Sequence, residues 1–134
     1  MLSNYLLFNR NCSEAIKAYE KAFGAKLIEI KNYGDMPPNP AFPIPEEDKE
    51  LVLHAKLIID GTEIMCADST DIGSGSDNMY ITITTTDKEL VEKAWNVLKE
   101  DGHVYMDLQS SFFAILHGSL QDKYKINWMF TVMK

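Results

Sequence analysis

Hydrophobic and polar positions along the chain fall into one pattern that occurs twice. Residues 4–9 (NYLLFN) are short, apolar and aromatic, which predicts a strand. From Cys12 the period changes. Ala15, Ile16, Tyr19, Ala22 and Phe23 recur at helical spacing, while Glu14, Lys17, Glu20 and Lys21 take the other side. Asn11 or Ser13 is available to cap this helix, and Gly24 suits a left-handed end. A second strand is expected over 26–33. Residues 51–59 (LVLHAKLII) and 63–67 (EIMCA) flank Asp60-Gly61-Thr62, a tight-turn signal for a β-hairpin. MYITITTT at 79–86 then starts the order again: Asp87 caps a helix running to about Glu100, and strands follow at 103–109, 112–120 and 126–133. Shifted by 75 positions, Ala15, Ile16, Tyr19 and Phe23 land on Leu90, Val91, Ala94 and Leu98. That agreement predicts an internal duplication.

Two segments interrupt the pattern. All five prolines lie between 34 and 50, followed by Glu46, Glu47 and Asp48, so this stretch reads as an extended surface loop, with a lid over a pocket as the functional alternative. The polar stretch 69–78 reads as a linker. The expected organisation is one domain of two modules, 1–68 and 79–134.

Each module reads as βαβββ, giving an α+β fold in which an amphipathic helix covers one side of a sheet. The reverse side is left to curl around a cavity. On strand 51–59, Leu51, Leu53, Ala55, Leu57 and Ile59 suit the helix-packed side, while Val52, His54, Lys56 and Ile58 point the other way. On 79–86, Met79, Ile81 and Ile83 alternate with Tyr80, Thr82 and Thr84. A lining of mixed apolar, hydroxyl and imidazole groups is that of a small-ligand pocket.

Composition narrows the partners. At 134 residues with a formal charge of −7 and no basic cluster, the chain is expected to bind neither nucleic acid nor an anionic membrane. The N-terminus MLSNYLLFNRN lacks the pattern of a signal peptide or a span, so the expected compartment is the cytoplasm, with Cys12 and Cys66 as free buried thiols rather than a disulfide.

Four stretches, YLLFNRNCSEAIKAYEKAFGAKL at 5–27, YGDMPP at 33–38, HAKLIIDGTEIMCAD at 54–68 and FFAILHGSLQDKYKINWMF at 112–130, resemble the PhnB-like branch of the vicinal oxygen chelate superfamily. That superfamily includes glyoxalase I, bleomycin-resistance proteins and extradiol dioxygenases, and this branch has carried a demethylubiquinone methyltransferase label. The resemblance implies paired βαβββ modules, eight strands curled around a cavity with two covering helices, and a homodimer. It also locates the positions where metal-dependent members carry His or Glu: Asn4, Tyr80 or Ile81, Met129, and a place between Met65 and Asp68. Asparagine, tyrosine and methionine are poor ligands for a hard or borderline ion, so neither a metal centre nor a cofactor is expected. Phe113, Ala114, His117 and Lys125 depart from the branch pattern.

His54 is the leading candidate for ligand binding or proton transfer, against a histidine that only hydrogen-bonds across the sheet. Lys56 would meet an anionic ligand or snorkel to solvent. Asp68 would act as acid/base, or cap a turn. Cys66 reads as a small buried side chain, His103 as surface, and Trp95 as core. Tyr80, Thr82, His117 and Met129 complete the expected pocket. Gly73-Ser74-Gly75 is no phosphate loop, and no hydrolase or zinc-protease motif occurs. The functional expectation is a protein that binds a small molecule without turnover. A divergent glyoxalase-like lyase, isomerase or dioxygenase using His54 and Asp68 is the alternative, and a dimer with a vestigial pocket the third.

Overall fold

Two four-stranded sheets carry the repeat in their strand order. In the computed structural model, which describes residues 1–73 and 75–134, the elements are β1 (Asn4–Asn9), α1 (Cys12–Phe23), β2 (Lys26–Asn32), β3 (Val52–Ile59), β4 (Thr62–Ser69), β5 (Ile81–Thr85), α2 (Lys88–Leu98), β6 (His103–Gln109), β7 (Leu116–Gln121) and β8 (Asn127–Val132). Ser74 of the expected linker and glycine-serine stretch lies outside the described residues. The sheets run β1-β4-β3-β2 and β5-β8-β7-β6, so adding four to each label turns one order into the other. In both, the opening strand pairs parallel with the closing one, and the remaining pairs are antiparallel. This is the paired βαβββ arrangement of the glyoxalase/bleomycin-resistance fold. Among the described residues no helix is long and apolar enough to cross a membrane.

The chain divides into two units, residues 1–17 with 25–72 and residues 18–24 with 73–134. In the first, Phe8, Ala55, Leu57, Ile64 and Cys66 form one buried side of the sheet. The β3–β4 turn is the expected tight one: Ile59 pairs with Thr62, and Asp60 and Gly61 both take positive φ, 49° and 76°. The start of α1 differs from expectation. The Cys12 N–H donates to Asp68 Oδ1 at 2.8 Å, and Asn11 Oδ1 has no hydrogen-bond partner. A carboxylate from β4 does the capping that Asn11 and Ser13 were placed to do.

The second unit takes the last turns of α1. Tyr19 and Phe23 lie against Trp128, with ring centroids 5.4 and 4.9 Å away, and Trp95 of α2 meets Phe130 edge-on at 6.0 Å. The sequence assigned all of α1 to its own module. Here its apolar stripe is divided, and Tyr19, Ala22 and Phe23 go with the second sheet. Asp87 caps α2 as expected, accepting the Leu90 N–H at 3.1 Å. β7 starts at Leu116 rather than 112, because Ser111 and Ala114 close a turn that leaves Phe112 fully exposed.

Candidate functional site

Polar side chains collect on the side of the first sheet away from its buried face. Strand pairing sets Tyr5 beside Met65, Met65 beside Lys56, and Lys56 beside Glu29 in one row across four strands. The adjacent row holds Leu7, Ala67 and, through its pairing with Lys31, His54. The strand period put His54 and Lys56 on this side, and both are half-buried there. Alternation holds from Ala55 onward but fails before His54. The β2–β3 register slips between Lys31 and Asn32, and Val52 is buried where Leu51 and Leu53 are only half-buried.

The Tyr5 side chain crosses β4 to reach His54. Its hydroxyl lies 3.0 Å from His54 Nδ1, the rings tilted with centroids 5.7 Å apart. Burial first, and then the nearby Cys66, Cys12 and Tyr33, raise the Tyr5 phenol above its ordinary value, so it stays protonated at neutral pH. A phenol donating to Nδ1 leaves the neutral imidazole its proton on Nε2, a hydrogen-bond donor for a ligand. Lys56 neither snorkels freely nor offers an unbalanced charge. Its ammonium sits 3.5 Å from Glu29 and 3.8 Å from Glu63.

Asp68 does not share this face. It is 4% exposed, on the buried side with Ile64 and Cys66, and its two oxygens accept backbone N–H groups of Cys12 at 2.8 Å and Val52 at 2.9 Å. A carboxylate so engaged, on the opposite side from His54, cannot work with that imidazole on one substrate. The expectation of a His54–Asp68 catalytic pair is corrected here: Asp68 holds the backbone.

On the second sheet, register sets Thr82 beside Met129 and Met129 beside Ser119, with Thr84, Thr131 and His117 in the next row. Thr82, His117 and Met129 therefore share a face, and Tyr80 stands just before it at the start of β5. His117 Nδ1 lies 3.0 Å from Thr131 Oγ1, and the ring meets Phe113 edge-on at 5.0 Å. Tyr80 meets Tyr105 at 5.9 Å. Trp128 is fully buried on the other face.

The Pro-rich loop borders a half-open space of its own. Tyr33, Met36, Pro40, Phe42, Ile44 and Lys49 are among the residues lining a cavity of about 920 Å³, and neither His54 nor Lys56 reaches it. Arg10 ties the loop down through Asp48 at 2.5 Å.

As to a metal, among the described residues no three His, Cys, Asp or Glu side chains are grouped to hold an ion. Asp68, the one good ligand near the family positions, spends both oxygens on backbone donors. The residues present do not fit the superfamily's metal centre.

Two important residues escaped the sequence reading. Tyr5 was absorbed into an apolar strand. Asp122, within the DKY stretch, is 2% exposed and accepts from Tyr19 Oη at 2.7 Å, Trp128 Nε1 at 2.9 Å, and the Tyr124 and Ile126 N–H groups at 2.8 and 3.1 Å. Its polar neighbours in sequence, in a turn between two strands, concealed that role.

The family described as 3-demethylubiquinone-9 3-methyltransferase matches residues 1–131. Among solved structures, protein PA1353 from Pseudomonas aeruginosa is similar over 99% of this chain and 97% of its own, at 28% identity and a TM-score of 0.84. A Bacillus cereus PhnB protein, described as a 3-demethylubiquinone-9 3-methyltransferase, is 26% identical over 97% of each chain with a TM-score of 0.78. The Listeria monocytogenes fosfomycin resistance protein FosX shares the fold alone, at 10% identity and a TM-score of 0.67 over 100% of this chain and 93% of its own.

Proposed function

The chain belongs to the family described as 3-demethylubiquinone-9 3-methyltransferase, the PhnB-like branch of the vicinal oxygen chelate superfamily, and from that premise we propose that it binds a small, partly aromatic or apolar molecule without turning it over. The observation that carries this reading is the Tyr5–His54 pair at 3.0 Å on a half-exposed sheet face. Met65, Leu7 and Ile58 supply apolar surface beside two directional polar groups, the combination that small-molecule sites use. Lys56 is balanced by Glu29 and Glu63, which argues against an anion as the preferred ligand. Among the described residues no carboxylate hydrogen-bonds to His54, which favours holding over proton transfer.

A thermal-shift screen against aromatic and apolar compounds, followed by calorimetry on hits, tests this. His54→Ala should weaken binding about tenfold, the loss of one good hydrogen bond. Unchanged affinity in His54→Ala and Tyr5→Phe would move the site elsewhere, and conversion of the ligand would end the non-catalytic reading. One equivalent of zinc, nickel, manganese or iron per chain in untagged protein would overturn the metal-free part of it.

A second reading places the ligand in the loop cavity, whose volume of about 920 Å³ suits a drug-sized molecule. Phe42→Ala would then weaken binding where His54→Ala does not. The proposal includes a cytoplasmic homodimer, supported by the apolar side chains exposed at Ile28, Ile30, Phe112 and Phe113. Sedimentation velocity checks it.

A further inference from the structure

The loop between β2 and β3 is built as a latched wall rather than a slack connection. All five prolines of the chain lie in it, and four of them line the half-open cavity of about 920 Å³ beside Tyr33, Met36, Phe42 and Ile44. Each proline ring fixes φ, so the wall loses little freedom when a molecule settles on it. The neck of the loop is closed by two backbone bonds, from the Tyr33 N–H to Leu51 O and from the Gly34 N–H to Lys49 O, both 2.9 Å. A Cβ on Gly34 would stand 3.0 Å from Lys49 Cβ, so the two sides of the neck are in close contact. Arg10 holds Asp48 from outside the loop. Tyr33 Oη donates to the Asp68 carbonyl at 2.9 Å, which pins the aromatic ring. The cavity therefore exists before any ligand arrives.

Its charge is one-sided in a protein that is acidic as a whole. Among the described residues that line it there is no carboxylate, and Lys49 is the one charged side chain. The Lys49 ammonium lies 2.8 Å from Glu46, whose side chain is 86% exposed. An ion pair so open to water contributes little, so a second carboxylate at Lys49 can replace Glu46 with little loss. Asn39 adds a donor. Its Oδ1 accepts the Ala41 N–H at 3.0 Å, and its amide N–H groups make no hydrogen bond among the described residues. Most of the remaining lining is proline, aromatic ring and thioether, a surface that a flat ring system covers well. We propose that the loop cavity binds an aromatic carboxylic acid, its rings against Phe42 and Tyr33 and its carboxylate on Lys49. This rests on the second reading above, which places a ligand in the cavity, and adds the class of that ligand. The sheet face around His54, where Glu29 and Glu63 balance Lys56, selects differently: a neutral molecule there, an acid here.

Calorimetric titration of the full chain with naphthoic acid, and with naphthamide as its uncharged counterpart, provides the test. At neutral pH the acid should bind about tenfold more tightly than the amide, the difference made by one charge-assisted hydrogen bond. Lys49→Met should erase that preference and leave the affinity for the amide unchanged. Glu46→Gln, on a side chain too exposed to matter for folding, removes the competing carboxylate and should tighten the acid about threefold. Phe42→Ala should weaken both compounds by a similar factor, about fivefold. Equal affinity for acid and amide, or a preference that survives Lys49→Met, would overturn the acid class and leave the cavity reading standing. No binding of either compound, or binding lost in His54→Ala and kept in Phe42→Ala, would overturn the cavity reading with it.

Discussion

The two units share a strand order but use their buried carboxylates differently. In the first, Asp68 accepts only backbone N–H groups, from the start of α1 and the start of β3. In the second, Asp122 accepts two side-chain donors, Tyr19 and Trp128, besides two N–H groups of its own turn. Helix capping differs in parallel. α2 is capped by its neighbour Asp87, whereas α1 is capped from 56 residues away. The two units share the order of elements, and each satisfies its buried polar groups by its own means. The first spends its carboxylate on joining elements, the second on anchoring an aromatic core.

Removing Asp122 should break the comparison most sharply. Asp122→Ala takes the acceptor from four donors, two of them belonging to large core rings, so a loss of about 3–5 kcal/mol is expected in urea unfolding. Asp68→Ala should lose about 2–4 kcal/mol, since it strips two backbone donors only. Equal losses would mean that the number of side-chain partners does not matter. Asp87→Ala should lose about 1 kcal/mol, the worth of an ordinary exposed cap.

Proton linkage sharpens the same contrast. Burial lifts the Asp122 carboxyl above its ordinary value, and the bonds from Trp128, Tyr19, Ile126 and Tyr124 pull it back only in part. The folded protein therefore binds a proton at a pH where the unfolded chain is still ionised. Stability from this site is fully present below the unfolded pKa and is lost as pH rises through the higher folded one. The stability of wild type relative to Asp122→Asn should accordingly grow as pH falls through that window, by no more than about 1.4 kcal/mol per pH unit. A difference that shrank on acidification would mean that the hydrogen bonds, rather than burial, govern the group.

How much of this could be read beforehand follows from the range of each interaction. The two helices were legible because Ala15, Ile16 and Tyr19, like Val91, Ala94 and Leu98, repeat a period that burial imposes locally. Asp60-Gly61 and Asp87 were legible because a turn and a cap are made by neighbours. His54 and Lys56 were placed on the correct face by a period of two, while the register slip that buries Val52 has no local marker. The partners of Asp68 were not legible because they are backbone groups, which carry no side-chain signature, and one of them is 56 residues away. The division of α1 was hidden for a related reason: an apolar stripe states that it will be covered, not by which sheet.

Tyr5→Phe is the smallest of these perturbations for stability and the most informative for the site. The residue is 47% exposed and its hydroxyl makes one sheet-crossing bond to His54, so loss of that oxygen should change unfolding free energy by less than about 1 kcal/mol. Its effect on His54 is larger in kind. Without a phenol at Nδ1 nothing selects the Nε2–H tautomer, and the ring is released to turn about its own axis. NMR of the imidazole nitrogens should show a single tautomer in wild type and a mixture in Tyr5→Phe, with ligand affinity falling alongside. His117, held instead by Thr131 on the second sheet, should be unaffected and serves as the internal control. A wild-type spectrum already mixed at His54 would mean that the Tyr5 contact does not prepare the imidazole, and the binding site would have to be sought in the loop cavity.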